Sequence, residues 1–250
     1  MTRPTAFAPP PARLSVIIPT WNEESTLGPT LERLRPESVS EVIVVDGGSH
    51  DATRTIARSH GAKWLEVARG RGCQMNRGAA AATGDLLLFL HADTLVPNDF
   101  HKHIAEVLAR PGVSAGAFRL GIDAPGRSLR MIERVVYYRS RFLQMPYGDQ
   151  AIFLTADMFH RVGGFRDWPI LEDYALVRRL KRMGRVKIAS SSVLTSARRW
   201  MDYGIWRTTL CNQACLVAHF FGASPTRIAR WHNGMRTARP RKSNLSASRI

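Results

Sequence analysis

Short, continuous apolar runs rich in β-branched residues alternate, through the first hundred residues, with stretches whose apolar positions recur at helical spacing. Leu-Ser-Val-Ile-Ile (14–18, ended by Pro19), Val-Ile-Val-Val (42–45), the weaker Lys-Trp-Leu-Glu-Val (63–67) and Leu-Leu-Leu-Phe-Leu (86–90) read as strands. A run as apolar as 86–90 fits a strand covered on both faces. Helices are expected over 23–35, 51–59, 74–82 and 98–109. Such alternation predicts βαβ units around a mostly parallel sheet. Beyond residue 115 the pattern is less regular: strands are expected at 115–120, 151–154 and 186–189, and helices at 128–142, 172–183, 205–221 and 225–232. Residues 1–13 are Pro-rich and 236–250 are Arg- and Ser-rich, without apolar periodicity, so both read as tails around one α/β unit of 14–235.

A chain of 250 residues, 44% hydrophobic, is large enough to bury a sizeable core. The charge is lopsided, 36 Lys plus Arg against 20 Asp plus Glu, which favours an anionic partner without choosing its class. Cys73, Cys211 and Cys215 are too few for a disulfide framework or a four-ligand zinc site, so they read as reduced thiols in a cytoplasmic protein. The start of the chain has no apolar signal segment, and the most apolar later stretch, 210–223, is too short and polar to span a bilayer.

Polar residues gather where the expected strands end. Asn22-Glu-Glu24 follows the first, Asp46-Gly-Gly-Ser-His-Asp51 the second and His91-Ala-Asp93 the fourth. Ligands of open parallel sheets bind beyond the carboxyl ends of strands. The competing explanation is local, each carboxylate capping a helix or making a turn.

Ser-Val-Ile-Ile-Pro-Thr-Trp-Asn-Glu-Glu (15–24), Val-Asp-Gly-Gly-Ser-His-Asp-Ala-Thr (45–53) and Leu-His-Ala-Asp-Thr (90–94) resemble the nucleotide-binding half of family 2 glycosyltransferases. So does Arg-Gly-Arg-Gly-Cys-Gln-Met-Asn-Arg-Gly (69–78), and the similarity continues through Tyr147-Gly-Asp-Gln150, Gly163-Gly-Phe165, Leu171-Glu-Asp173 and Arg198-Arg-Trp200. Within that family the chain is most similar to the arsenosugar-biosynthesis-type subgroup. The resemblance implies the GT-A fold, a Rossmann-like, mostly parallel sheet flanked by helices. It divides the chain into a nucleotide-sugar half (14–97), an acceptor half (98–200) and C-terminal helices (201–235).

The resemblance also distributes roles. Asp46 would accept the imide N–H of the base, with Pro19 and Glu23 flanking base and ribose. Arg71 would meet the diphosphate and Asn76 would bond nearby; a solvated loop cation is the other explanation for Arg71. His91-Ala-Asp93 lies where the family carries Asp-x-Asp, so Asp93 and His91 are the candidate ligands of a divalent cation, Mn2+ or Mg2+. His91 is equally explained as a strand-end residue. Asp173 would be the base for the acceptor hydroxyl, with Glu172 orienting it or replacing it; acidic residues in a first helical turn also simply complement the dipole. Asp149 and Gln150 would line the acceptor side. Arg199 would bind phosphate and Trp200 would stack on a sugar, unless Trp200 is a core residue. Ser196 replaces the Gln of the processive Gln-x-x-Arg-Trp pattern, which argues against a polymer synthase.

The implied activity is transfer of a sugar from a nucleotide diphosphate, a UDP-sugar, to an acceptor hydroxyl, inverting, non-processive and metal-dependent. Two alternatives remain: a sugar-1-phosphate nucleotidyltransferase, whose Gly-rich phosphate loop would follow the first strand, and a non-catalytic basic nucleotide- or nucleic-acid-binding protein. No aromatic-interleaved basic platform speaks for nucleic acid. Leu210, Leu216, Val217, Phe220 and Phe221 fall mainly on one side of the helix expected at 205–221, near Arg207 and the basic tail. They read either as a surface for the inner face of an anionic membrane, giving access to a lipid-linked acceptor, or as core.

Overall fold

The computed structural model describes residues 12–34 and 38–237. Both expected tails therefore lie almost wholly outside the described residues, as does the expected end of the first helix. Among those described, the chain runs β1 (Leu14–Thr20), α1 (Leu27–Glu32), β2 (Glu41–Asp46), α2 (Thr53–Ser59), β3 (Lys63–Glu66), α3 (Arg71–Ala81), β4 (Leu86–Phe89), β5 (Thr94–Leu95), α4 (Phe100–Leu108) and β6 (Val113–Asp123). It continues through α5 (Arg127–Phe142), a 3-10 turn (Gly148–Gln150), β7 (Ile152–Thr155), α6 (Ala156–Arg161), α7 (Glu172–Met183), β8 (Arg185–Ser196), α8 (Arg198–Tyr203), α9 (Ile205–Phe220) and α10 (Pro225–Thr237).

The strands form one sheet in the order β3-β2-β1-β4-β7-β6-β8-β5. Its first half is parallel throughout: β1 pairs with β2 and β4, and β2 with β3. β7 then runs against both β4 and β6, β6 and β8 are parallel, and β5 closes antiparallel on β8. The parallel pattern thus holds for the first βαβ units and gives way to a mixed sheet beyond β4.

Alternate residues of the central strands feed two cores. Val16, Ile18, Val44 and Leu88 pack with α1, α2 and α4 on one face, whereas Ile17, Ile43, Val45 and Leu87 pack with α3, α6 and α7 on the other. Double coverage is why these runs carry no polar alternation. Pro19 does not end β1. It pairs with Val45 in register and is buried, in a part of β1 that lies beyond the β4 ladder.

Several boundaries moved for local reasons. α1 starts late because residues 22–26 form a turn: Asn22 has φ 54° and the Glu23 carbonyl accepts from the Thr26 and Leu27 N–H groups. β8 continues beyond Ala189 through three serines because β6, after an irregularity between Ala117 and Arg119, pairs with it again from Arg119–Ser192 as far as Asp123–Ser196. Too short to carry a periodicity, β5, α6 and α8 were not expected. No helix among the described residues is long and apolar enough to cross a membrane.

Candidate active site

The loops after β1 and β2 fasten to each other. Asp46, 2% exposed, accepts from the Gly48 and Ser49 backbone N–H groups at 2.8 and 2.6 Å and from the Thr20 and Ser49 hydroxyls. Those four bonds use the acceptor capacity of a carboxylate. Asp46 is therefore a turn-making residue here rather than an open acceptor for a base. Asn22 accepts from the His50 N–H, Asp51 from Glu24 and Thr53, and Glu24 from Ala52. From α3, Gln74 donates to the Thr20 and Val45 carbonyls at 2.8 Å each, tying the ends of β1 and β2 together. Beside them, the Arg69 guanidinium lies 3.3 Å from the centre of the Trp21 ring, which is 41% exposed.

A second group gathers around the start of α7. Glu172, 2% exposed, accepts from Arg71 Nε at 2.7 Å across the α3–α7 contact. Glycine at position 72 permits this approach, since a Cβ there would stand 2.5 Å from the Arg166 carbonyl oxygen. Burial pushes the Glu172 carboxyl above its ordinary range against the pull of Arg71, and Glu172 in turn holds Arg71 charged. Asp173 accepts from the Gly148 N–H at 2.7 Å and from the Tyr174 N–H at 2.7 Å. Met75, Phe89, His91, Gly148, Ile152, Phe165, Glu172 and Asp173 line a small pocket. Next to it Asp149 Oδ1 is buried with no hydrogen-bond partner, and burial raises this carboxyl against the pull of Arg139 and Arg199. The backbone is strained on both sides, Ala151 at φ 49° and Leu171 at φ 65°, a cost that fixed geometry at a site sustains.

Asp93 lies between the two groups. Arg198, from the start of α8, pairs with Glu23 at 2.9 Å and comes within 4.0 Å of Asp93. Glu23 is thus engaged by Arg198 and Thr26 rather than left open towards a ribose. Burial, assisted by Arg71, depresses the His91 pKa to about 4, so the imidazole is neutral at neutral pH and has a lone pair to offer. One carboxylate and one neutral imidazole fit a cation whose remaining ligands come from diphosphate oxygens. Among the described residues, no three His, Cys, Asp or Glu side chains converge into a self-sufficient metal cluster.

Other expected site residues serve the scaffold. Asn76 clamps Phe165, donating to its carbonyl at 2.9 Å and accepting from its N–H at 2.8 Å, which leaves its amide committed. Gln150 is fully buried; it accepts from Ser140 and Arg139 and donates to the Phe118 carbonyl, so it cannot contact an acceptor. Trp200, 6% exposed, packs with Leu120, Ile122, Leu129 and Ile132, the core alternative. Glu172, the alternative base, is held by Arg71. Arg199 is half-buried, and its charge bears on both His91 and Asp149. Sequence reasoning missed Gln74 and Arg198, although both lie inside the segments that carried the resemblance.

Residues 15–166 match the family model described as glycosyl transferase family 2. The chain belongs to this family. The matched stretch includes Asp46, Arg71, His91, Asp93 and Asp149 and ends before Glu172 and Asp173. Among curated family relatives, the glucosyl-3-phosphoglycerate synthase of Mycolicibacterium smegmatis is 37% identical over 97 residues, covering 34% of this chain and 32% of the relative. The dolichyl-phosphate beta-glucosyltransferase of Drosophila melanogaster is 36% identical over 112 residues, covering 37% and 34%. The chain thus spans about a third of the length of these relatives. A solved glucosyl-3-phosphoglycerate synthase from Mycobacterium tuberculosis, in complex with Mn2+, UDP-glucose and phosphoglyceric acid, superposes with TM-score 0.56 at 22% identity, covering 74% of this chain and 71% of that one. TarS 1–349 of S. aureus in complex with UDP gives 0.58 at 20%, covering 74% and 60%. These likenesses show the GT-A fold of the family, a central sheet flanked by helices.

Proposed function

We propose that this family 2 chain transfers a sugar from a UDP-sugar to an acceptor hydroxyl, in one inverting, non-processive step with a divalent cation. The observation that carries this is the convergence of Asp173, the Gly148 N–H and His91 on one pocket beside the Arg71–Glu172 pair. The acceptor hydroxyl gives its proton to Asp173 while its oxygen attacks the anomeric carbon opposite the departing diphosphate. The anomeric C–O bond to the diphosphate breaks as the new glycosidic bond forms, which inverts the centre. Arg71, with five N–H donors of which Nε meets Glu172, is the cation placed to meet the leaving charge. Asp93 and His91 would hold the cation, which supplies further charge neutralisation at the diphosphate. With Asp46 committed to its loop, the exposed Trp21–Arg69 stack is the surface offered to the base. The matched relatives act on different acceptors by name, and neither they nor the arsenosugar-type likeness fixes the acceptor here.

A second assignment of the base has support of its own. Asp149 has a buried, unpartnered oxygen, and burial raises its carboxyl above the ordinary range, both features found in carboxylates that exchange protons at a site. Under the first assignment Asp149 instead binds the acceptor. Thermal unfolding with a panel of nucleotide sugars, with and without Mn2+, tests the donor reading. UDP-sugars should raise the midpoint, more so with the cation. No shift with any nucleotide sugar overturns it, and pyrophosphate release from a sugar-1-phosphate and a nucleoside triphosphate would favour nucleotidyl transfer.

On α9 and just after it, Leu210, Val217, Phe220 and Phe221 are exposed, the last two at 81% and 82%, while Leu216 turns in towards Cys215 and Ile228. Together with Arg207, Arg227 and Arg230 they support peripheral contact with an anionic membrane, where a lipid-linked acceptor would be met. Co-sedimentation with anionic vesicles at low salt should be lost on deleting 224–250; no binding by the full chain sinks it.

A further inference from the structure

Away from Asp173, a cavity of about 270 Å³ opens between the last turns of α4 and α5, floored by β6 and β8. Arg110, Arg119 and Arg141 reach it from the α4–β6 loop, β6 and α5 respectively. Among the described residues none of the three has a carboxylate within 4 Å, whereas Arg71, Arg130 and Arg198 each have one. Glu106 is the one acidic residue of the lining, and it sits 3.6 Å from His103, whose other ring nitrogen is 3.2 Å from Asp99. The nearby carboxylates are therefore directed at His103, leaving an excess of positive charge in a concave surface. Gathering like charges without a counter-charge is unfavourable unless an anion joins them.

We propose that this cavity binds the phosphoryl group of a ligand. Arginine forks match phosphate oxygens in pairs, and Arg119 is held in advance by stacking 4.3 Å from the centre of the Tyr137 ring. The exposed Ser190 hydroxyl at the rim adds a neutral donor. The volume suits a phosphate or diphosphate with a small substituent and is below that of most drug-sized sites. No residue of this lining belongs to the pocket around Asp173. The two are joined by α5, which turns Tyr137 and Arg141 to the cavity and Arg139 and Ser140 to Gln150. Tyr138 and Phe142, stacked with centres 6.0 Å apart and largely exposed, continue the surface past Arg141. The phosphoryl group can thus come from a soluble compound or from a lipid headgroup whose chain lies along those rings.

The two sources separate in one experiment on the full chain. Calorimetric titration with inorganic pyrophosphate is run beside flotation with phosphatidylcholine vesicles with and without phosphatidylglycerol. Wild type is compared with Arg119→Gln/Arg141→Gln, with Arg110→Gln, and with Arg71→Gln as a control for the other site. Loss of a guanidinium–phosphate contact should weaken binding about tenfold or more per arginine. A pyrophosphate event that survives Arg71→Gln but falls about a hundredfold in the double variant supports a soluble ligand. Loss of phosphatidylglycerol-dependent flotation alone, in a double variant that keeps the wild-type unfolding midpoint, supports the headgroup. Should the double variant misfold, the single Arg110→Gln change, in the exposed loop after α4, reads the same two signals. Unchanged pyrophosphate affinity and unchanged flotation in the cavity variants overturn the proposal, as does pyrophosphate binding that only Arg71→Gln removes with flotation intact.

Discussion

The loops after β1 and β2 and the segment from Tyr147 to Asp173 are both rich in acidic residues, yet they use them in opposite ways. In the first region Asp46, Asp51 and Glu24 direct their oxygens at backbone N–H groups of their own two loops. In the second, Asp149 keeps an unpartnered buried oxygen, Glu172 is buried against a cation from α3, and the chain sits in left-handed geometry at Ala151 and Leu171. A carboxylate with its acceptor sites filled stabilises a loop; one left short of partners in a low dielectric is costly and reactive. The first region is therefore a preorganised frame, and the proposed proton chemistry is assigned to the second.

The sharpest way to break that contrast is Asp173→Asn, expected to lower transfer about a hundredfold or more while nucleotide-sugar binding persists. If Asp149→Asn shows that loss instead, in paired transfer assays, the base is Asp149 and the second region keeps its character with a different residue. Asp93→Ala should reduce cation-dependent donor binding about tenfold or more, measured as the Mn2+-dependent part of the midpoint shift, and His91→Asp should improve the response to Mg2+. Donor binding that is indifferent to EDTA in wild type removes the cation from the proposed mechanism.

Gln150→Ala tests the scaffold beneath the reactive segment. It strands the Phe118 carbonyl and the Ser140 hydroxyl, so urea unfolding should register a loss of about 2 to 3 kcal/mol. Asp149→Asn should stabilise, and its pH dependence follows from the raised pKa. The native state holds that proton more tightly than the unfolded chain, so wild-type stability falls as pH rises above the ordinary value of 3.8. The midpoint gain of the Asn variant should accordingly be absent near pH 3.5 and appear towards neutrality. The smallest effect is expected for Arg198→Gln. Its pair with Glu23 is 43% exposed on the arginine side, so stability should change by less than about 1 kcal/mol, while donor KM rises a few-fold because Asp93 loses its neighbour. A larger stability loss would make Arg198 a structural strut between the regions.

Much of the first region was legible without coordinates. The apolar runs of β1, β2 and β4 are buried on both faces, and burial of that kind leaves its mark in composition alone. The polar residues after those strands lie beside the candidate site, since the carboxyl ends of parallel strands open outward together. Roles within the site were less legible. Asp46 looked like a ligand contact and is a loop fastener; Asn76 looked available and is clamped on the Phe165 backbone, and Gln150 looked available and is held by Ser140, Arg139 and the Phe118 carbonyl. Arg198 was overlooked beside Arg199, because nothing in the order of two arginines tells which one faces Glu23.

What the sequence determined by itself was the alternation of strand and helix, the double coverage of the central strands and the chemical character of the loops. These follow from local propensity and the burial of apolar area, which act residue by residue along the chain. Tertiary structure alone decided where β7 reverses the sheet, which carboxylates are saturated, and that Arg71 meets Glu172 while, among the described residues, Arg110, Arg119 and Arg141 have no carboxylate within 4 Å. The physical reason is that the cost of a buried polar group depends on which partner the fold delivers to it, and that partner comes from another part of the chain.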